Sequence, residues 1–265
     1  MARLPRFVIA GHPQHVIIRG NNRDPIFYSD EDYRFYLTKL QDACIKHDCA
    51  VHAYVLMTNH VHLLITPHVQ DGISKTMQML GRYYVQYFNF THQRTGTLWE
   101  GRYKASLVDS EAFALTCYRY IELNPVRAAM VQHPAEYPWS SYRCNALGQA
   151  NSQPNSLITP HYLYDALGQD EVTRLEQYRS LFKGQIDETS LALMREATNK
   201  AWVLGSDYFK QKIANQLNRR TDKLAKGGDR KSDEFRQNKK VNQVWVWVIP
   251  VNVCNIKAYF NIESH

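Results

Sequence analysis

Residues 50–57 (AVHAYVLM) and 60–67 (HVHLLITP) are two strand-like apolar runs separated by Thr58 and Asn59 alone. So short a connection makes the two runs antiparallel neighbours in one sheet. Around this hairpin, strand-like and helix-like stretches follow one another. The β-branched content from Phe7 to Ile18 reads as a strand, followed by a polar RGNNRD loop. Ser29 or Asp30 can cap a helix over 30–47, in which Tyr33, Tyr36, Leu37, Leu40 and Ile45 recur at near-helical spacing. A second helix is predicted over 72–90 and a further strand over 102–109. A third helix is capped by Asp109 or Ser110 and halted by Pro125.

The order β, α, β, β, α, β, α lacks the strict rhythm of a doubly wound sheet. It matches an α+β, ferredoxin-like plan, an antiparallel sheet with helices on one face. Residues 133–156, rich in Pro, Ser, Asn and Gly, read as the edge of this domain. Beyond them, residues 159–181, 190–200 and 207–224 look helical, so a small helical C-terminal region follows. The expected organisation is a first domain over 1–145, a linker over 146–158, helices over 159–226, and a basic tail with an apolar end over 227–265.

The chain has a net charge of +7, and its position matters more than its size. Residues 210–240 hold eleven Lys or Arg against four Asp or Glu, an excess equal to that of the whole chain. The five cysteines are odd in number and form no CxxC pair, which suggests neither a disulfide framework nor a zinc ribbon and fits a reducing cytoplasm. The N-terminus lacks a signal-like apolar core, and the apolar run 244–253 is too short to span a bilayer, so membrane and secretory roles are not expected.

Side chains two apart on a strand share a face, so His60 and His62 project together while Val61, Leu63 and Ile65 face the other way. Neutral imidazole is a common metal ligand, and two on one face make half of a site. An isolated HxH fits equally well two partly exposed histidines on an open sheet face. In the third helix Tyr120 and Asn124 lie four apart and share a helical face, where a phenol can act as nucleophile and an amide oxygen as metal ligand. Ordinary packing and a helix stop at Asn124-Pro125 explain the same residues.

Three motifs in order, MTNHVHLLITP at 57–67, LWEGRYKASLV at 98–108 and YRYIELNPVRAAMV at 118–131, resemble the single-tyrosine HUH transposases. More closely they are similar to the REP-associated tyrosine transposase branch of the IS200-like superfamily. HVIIRGNNRDPIFYSDEDYRFYL at 15–37 and WVLGSDYF at 202–209 resemble further elements of that group. The resemblance implies that residues 1–145 are the catalytic domain and 159–226 a DNA-binding region. It implies His60 and His62 as metal ligands, Asn124 as a third, Tyr120 as catalytic nucleophile, Mg or Mn as cofactor, and single-stranded or hairpin DNA as substrate.

The function so implied is a metal-dependent endonuclease and strand transferase working through a 5′-phosphotyrosine intermediate, in transposition or repeat processing. Such a protein would be cytoplasmic, associated with the nucleoid through DNA, and a monomer or homodimer. Arg19, Asn21, Asn22 and Arg23 form a donor-rich loop, and Arg102 and Lys104 precede the tyrosine helix. All suit phosphate or base-edge contacts. Tyr83, Tyr84 and Tyr87, beside Arg82, suit base stacking or core packing. Arg219, Arg220 and the Lys-rich stretch after them suit salt-sensitive DNA affinity. Residues from 240 onward match no element of that family. The alternative is a non-catalytic nucleic-acid-binding protein on the same fold.

Overall fold

The hairpin forms as its sequence requires: β2 (Cys49–Met57) and β3 (His60–Pro67) pair antiparallel, with Met57 opposite His60. These features come from a computed structural model of the chain, in which residues 6–149 and 157–222 are described. β1 (Gln14–Arg19) lies between β3 and β4 (Lys104–Leu107), giving the order β2-β3-β1-β4 with every neighbour antiparallel.

Two strands are shorter than the residue pattern predicts. β1 begins only after Gly11, whose φ of +77° turns the chain, and after Pro13, which cannot donate to a ladder. Phe7 and Ile9, expected in that strand, pack instead with Leu107, Val203 and Ile213. β4 begins at Lys104 rather than residue 102, because the carbonyl of Tyr103 accepts hydrogen bonds from Arg6 Nε (3.1 Å) and a terminal guanidinium nitrogen (2.7 Å). Arg102 therefore precedes the strand.

Helices α1 (Asp30–Lys46) and α2 (Gly72–Thr91) cover one face of the sheet. A capping box between Ser29 and Asp32 starts α1. Tyr36, Leu37, Leu40, Met77, Leu80, Tyr84 and Phe88 then meet Val16, Ile18, Val61, Leu63 and Ile65 of the strands. Full burial of each β3 side chain in that set is worth about 1.5–3 kcal/mol. A one-residue slip of β3 would turn all three away and drive His60 and His62 into this core, so burial fixes the register.

The opposite face is covered as well, which the residue pattern does not show. α3 (Ser110–Glu122) crosses it, followed by α4 (Asn124–Arg127), α5 (Tyr142–Leu147), α6 (Tyr162–Asp165), α7 (Glu171–Ser180), α8 (Glu188–Lys200) and α9 (Asp207–Leu217). Tyr118, Tyr120, Ile121, Tyr142 and Met194 meet Ala53, Val55, Met57 and Leu64. A register shift between Val51 and Ala53 puts these two strand residues into opposite cores.

The helical stretch expected over 159–181 is two helices, parted at Gly168, where a Cβ would lie 2.5 Å from the backbone nitrogen of Arg174. α9 stops at Asn218, which turns left-handed (φ 46°), rather than running to 224. The described residues belong to one compact unit. The expected tail over 227–265 lies outside the described residues. Among them no helix is long and apolar enough to cross a membrane.

α3 is tied to the helices behind it by Glu122, which is fully buried. Its carboxylate accepts hydrogen bonds from the Ser141 hydroxyl (2.5 Å), the Asn145 amide (2.8 Å) and the Tyr178 hydroxyl (2.6 Å). Burial raises its pKa from 4.5 to about 7, against the pull of these three donors. Glu122→Ala would strand three buried donors, and the expected loss in a urea unfolding experiment is about 3–5 kcal/mol. A loss below about 1 kcal/mol would show that the donors find other partners.

Candidate active site

The alternation of β3 delivers His60 and His62 to the α3 face, but not to an open surface. His62 is 4% exposed and His60 is half-buried; α3 lies over β3, and α8 over the neighbouring β1 and β4. Tyr120 projects from α3 onto His62 and His15. Its ring centroid lies 5.9 Å from that of His62 and 5.6 Å from that of His15 on β1, both edge-on. Glu122, two residues on, faces the helical layer, so anchoring α3 there aims Tyr120 at the sheet.

Both predicted ligand histidines are held by their Nδ1 atoms. His60 Nδ1 is 2.7 Å from Asn59 Oδ1, and the Asn59 amide nitrogen donates to the Arg23 carbonyl (2.9 Å), which fixes the oxygen toward His60. His60 Nδ1 is therefore the protonated nitrogen, and Nε2 keeps its lone pair. His62 Nδ1 is 2.9 Å from His15 Nε2. The two rings are 5.0 Å apart between centroids. Two imidazoles sharing one ion at metal–nitrogen bonds of about 2.1 Å have centroids roughly 4.5–5.2 Å apart, so the pair fits a common cation.

Asn124 contributes less directly. Its amide nitrogen donates to the carbonyls of Tyr120 (3.0 Å) and Ile121 (3.2 Å), which leaves Oδ1 as the free end of the side chain. Among the described residues no group of three or more His, Cys, Asp or Glu side chains is arranged as a metal site. Two imidazoles and one amide oxygen would leave half of an octahedral coordination sphere to substrate oxygens and water, the habit of Mg-type ions at phosphates.

The electrostatics oppose protonation here. Burial, with Arg19 beside it, lowers His60 to about 4. His62 is held well below 6.5 by burial and by His15, His60, Arg127 and Arg19, and His15 falls to about 3 through burial and Arg127. Burial raises the Tyr120 phenol, while Arg127 and Arg195 pull it down. The Arg127 guanidinium lies 4.2 Å from the Tyr120 ring centroid and donates to the Tyr120 carbonyl (2.6 Å).

The predicted DNA residues divide into two groups. The register sets Arg19 opposite His60 and places Ile17 between His62 and Lys104, so Arg19 and Lys104 share the histidine face. Arg19, Arg102, Lys104 and Asn199 line a cavity of about 180 Å³. Arg102, Lys104 and Arg219 line an adjoining one of about 480 Å³ with Arg6, Tyr103 and Trp202. Asn21, Asn22 and Arg23 form a short 3₁₀ turn with Asn22 and Arg23 left-handed, joined to His60 through Asn59. Arg220 is exposed beyond α9, and no contact brings it to the histidines. Tyr84 is core, bonded to the Ile26 carbonyl (2.5 Å), and Tyr87 stacks on Phe35.

His15, Asn59, Arg127, Arg195 and Thr198 were not singled out from the sequence. Arg127 lies seven residues after Tyr120, on the same helical side, and His15 shares strand parity with Arg19, so those two had a local signal. Arg195 and Thr198 had none. The burial of the pair has a direct readout: in an NMR titration His60 should titrate near pH 4, remaining neutral at pH 6, where a free histidine is mostly charged. A His60 midpoint near 6.5 would contradict the enclosed site.

Residues 9–124 match the family model for IS200-like transposases. No curated protein matches the chain at a significant level. Among solved structures, a REP-associated tyrosine transposase bound to a REP hairpin is similar at 16% identity and a TM-score of 0.47, over 60% of this chain and 94% of that one. A candidate transposase from Deinococcus radiodurans R1 is similar at 22% identity and a TM-score of 0.33, over 46% and 96%. Both structural likenesses are weak, and the similarity that counts is the match over residues 9–124. That match takes in the sheet, α1 to α3, both histidines, Tyr120 and Asn124, and over residues 9–124 the chain is similar to the IS200-like transposases.

Proposed function

We propose that this protein cuts and rejoins single-stranded or hairpin DNA through Tyr120, with His60, His62 and Asn124 holding a Mg or Mn ion at the scissile phosphate. The observation that supports it most is the meeting of three groups: the Tyr120 ring lies edge-on to His62, and His60 and His62 are engaged through Nδ1. When bound, the ion would act as Lewis acid and template for in-line displacement.

The chain's own groups do the rest. A phenol with a pKa near 10 is a weak nucleophile, and the guanidinium groups of Arg127 and Arg195 favour its phenolate. Tyr120 Oη forms a bond to phosphorus as the bond to O3′ breaks. The phenol proton passes to solvent and the freed O3′ takes one up. The product is a 5′-phosphotyrosine ester, whose bond energy lets a 3′-hydroxyl reverse the step and join strands without a nucleotide triphosphate. Arg19, Arg102, Lys104 and Arg219 would hold the backbone in the basic cavities beside the site, with Asn21, Asn22 and Arg23 near the base edges. Arg220 and the rest of residues 159–226 would add affinity without sequence preference.

A labelled hairpin oligonucleotide from the DNA flanking the gene, incubated with Mn²⁺, tests the reading on a denaturing gel. Wild type should give a cleaved strand and a covalent adduct; Tyr120→Phe should lose both and keep binding, and His60→Ala should lose cleavage. If Tyr120→Phe still cleaves without an adduct, water is the nucleophile; if it still forms an adduct, another side chain is; if wild type binds and never cleaves, the protein is a binding module. Lys104→Ala and Arg219→Ala should each weaken binding and flatten its log–log salt slope by about 0.7. Unchanged slopes would remove these residues from the DNA path.

A further inference from the structure

His15 has no part in the reaction above, yet both of its ring nitrogens are engaged inside the core. It is 0% exposed. Its Nδ1 lies 2.9 Å from Thr198 Oγ1 on α8, and its Nε2 lies 2.9 Å from His62 Nδ1. The His15 and His62 rings are nearly parallel, 18° between planes. Thr198 is 2% exposed, and its hydroxyl lies 2.8 Å from the Met194 carbonyl.

The protons along this chain can be assigned by elimination. A carbonyl only accepts, so the single Thr198 proton goes to Met194, and Thr198 Oγ1 must accept from His15 Nδ1–H. The groups recorded on His15 are Thr198, His62, the Tyr120 ring and the Arg127 charge. None of these is an anion, so a buried imidazolium here would be uncompensated. A neutral His15 protonated at Nδ1 offers a lone pair at Nε2. His62 Nδ1 must then be the donor, and His62 Nε2 keeps its lone pair.

We propose that Thr198 and His15 are positioning residues that lock His62 as the Nδ1–H tautomer, with Nε2 directed at the divalent ion. The inference rests on the metal reading above and adds to it a support outside residues 9–124, since Thr198 lies on α8. Asn59 does for His60 from the neighbouring position what His15 and Thr198 do for His62 from two other elements. Backing of a ligand imidazole by a hydrogen-bond acceptor commonly governs metal affinity by 10–100-fold.

The test uses the full chain, ¹⁵N-labelled at histidine. Long-range ¹H–¹⁵N correlation spectra should show His62 protonated at Nδ1 without metal, and Mn²⁺ titration followed by electron paramagnetic resonance should give a measurable affinity. His15→Phe, which keeps an aromatic ring but no acceptor, should shift His62 toward Nε2–H and weaken Mn²⁺ binding by about 10–100-fold. Thr198→Val should move both readouts in the same direction, and Thr198→Ser should restore them. A purely structural role would lower thermal stability and leave tautomer and affinity where they were, which overturns the proposal. Wild type that binds Mn²⁺ with His62 in the Nε2–H form overturns it too. Wild type that binds no Mn²⁺ overturns the metal reading itself, and the proposal falls with it.

Discussion

The site depends on where α3 sits, and α3 is held from behind by a buried carboxyl. Glu122 gathers hydrogen bonds from Ser141, Asn145 and Tyr178, which belong to the segment around α5 and to α7. The same helix turns Tyr118 into an aromatic group with Tyr164 and Tyr178. Side chains at 118 and 122 share one helical side, and those at 120 and 124 point away from it. Anchoring the first pair therefore aims Tyr120 at His62 on β3.

The sheet supplies the other half of the geometry through register. Because β1 runs between β3 and β4, one row carries His62, Ile17 and Lys104, and the next pairs Arg19 with His60. Metal-type ligands and phosphate-type cations thus arrive on one face by strand alternation alone. The cost of the arrangement is burial of several imidazoles, which the site answers by keeping them neutral and pairing their Nδ1 atoms.

Much of this was legible in the residues. The Thr58-Asn59 connection required the hairpin, the HVH alternation required a shared face, and the spacing of Tyr120 and Asn124 placed both on one helical side. Less legible was everything that depends on contacts distant in sequence. Nothing near Phe7 reveals that Tyr103 gives its carbonyl to Arg6 or that Gly11 and Pro13 delay β1. Nothing near His62 reveals Thr198, which reaches it through His15 across 183 residues. A strand face that looked open was closed by helices whose own pattern gives no docking partner. Local periodicity records which side of an element is apolar, not which element covers it.

The central claim is that Tyr120 is the nucleophile. Its most direct measurement is peptide mass spectrometry on wild-type protein trapped with hairpin DNA and digested with protease and nuclease. The account predicts a nucleotide phosphate mass on the peptide containing Tyr120, absent when metal is chelated. An adduct on another tyrosine, such as the exposed Tyr83 or Tyr208, would contradict it.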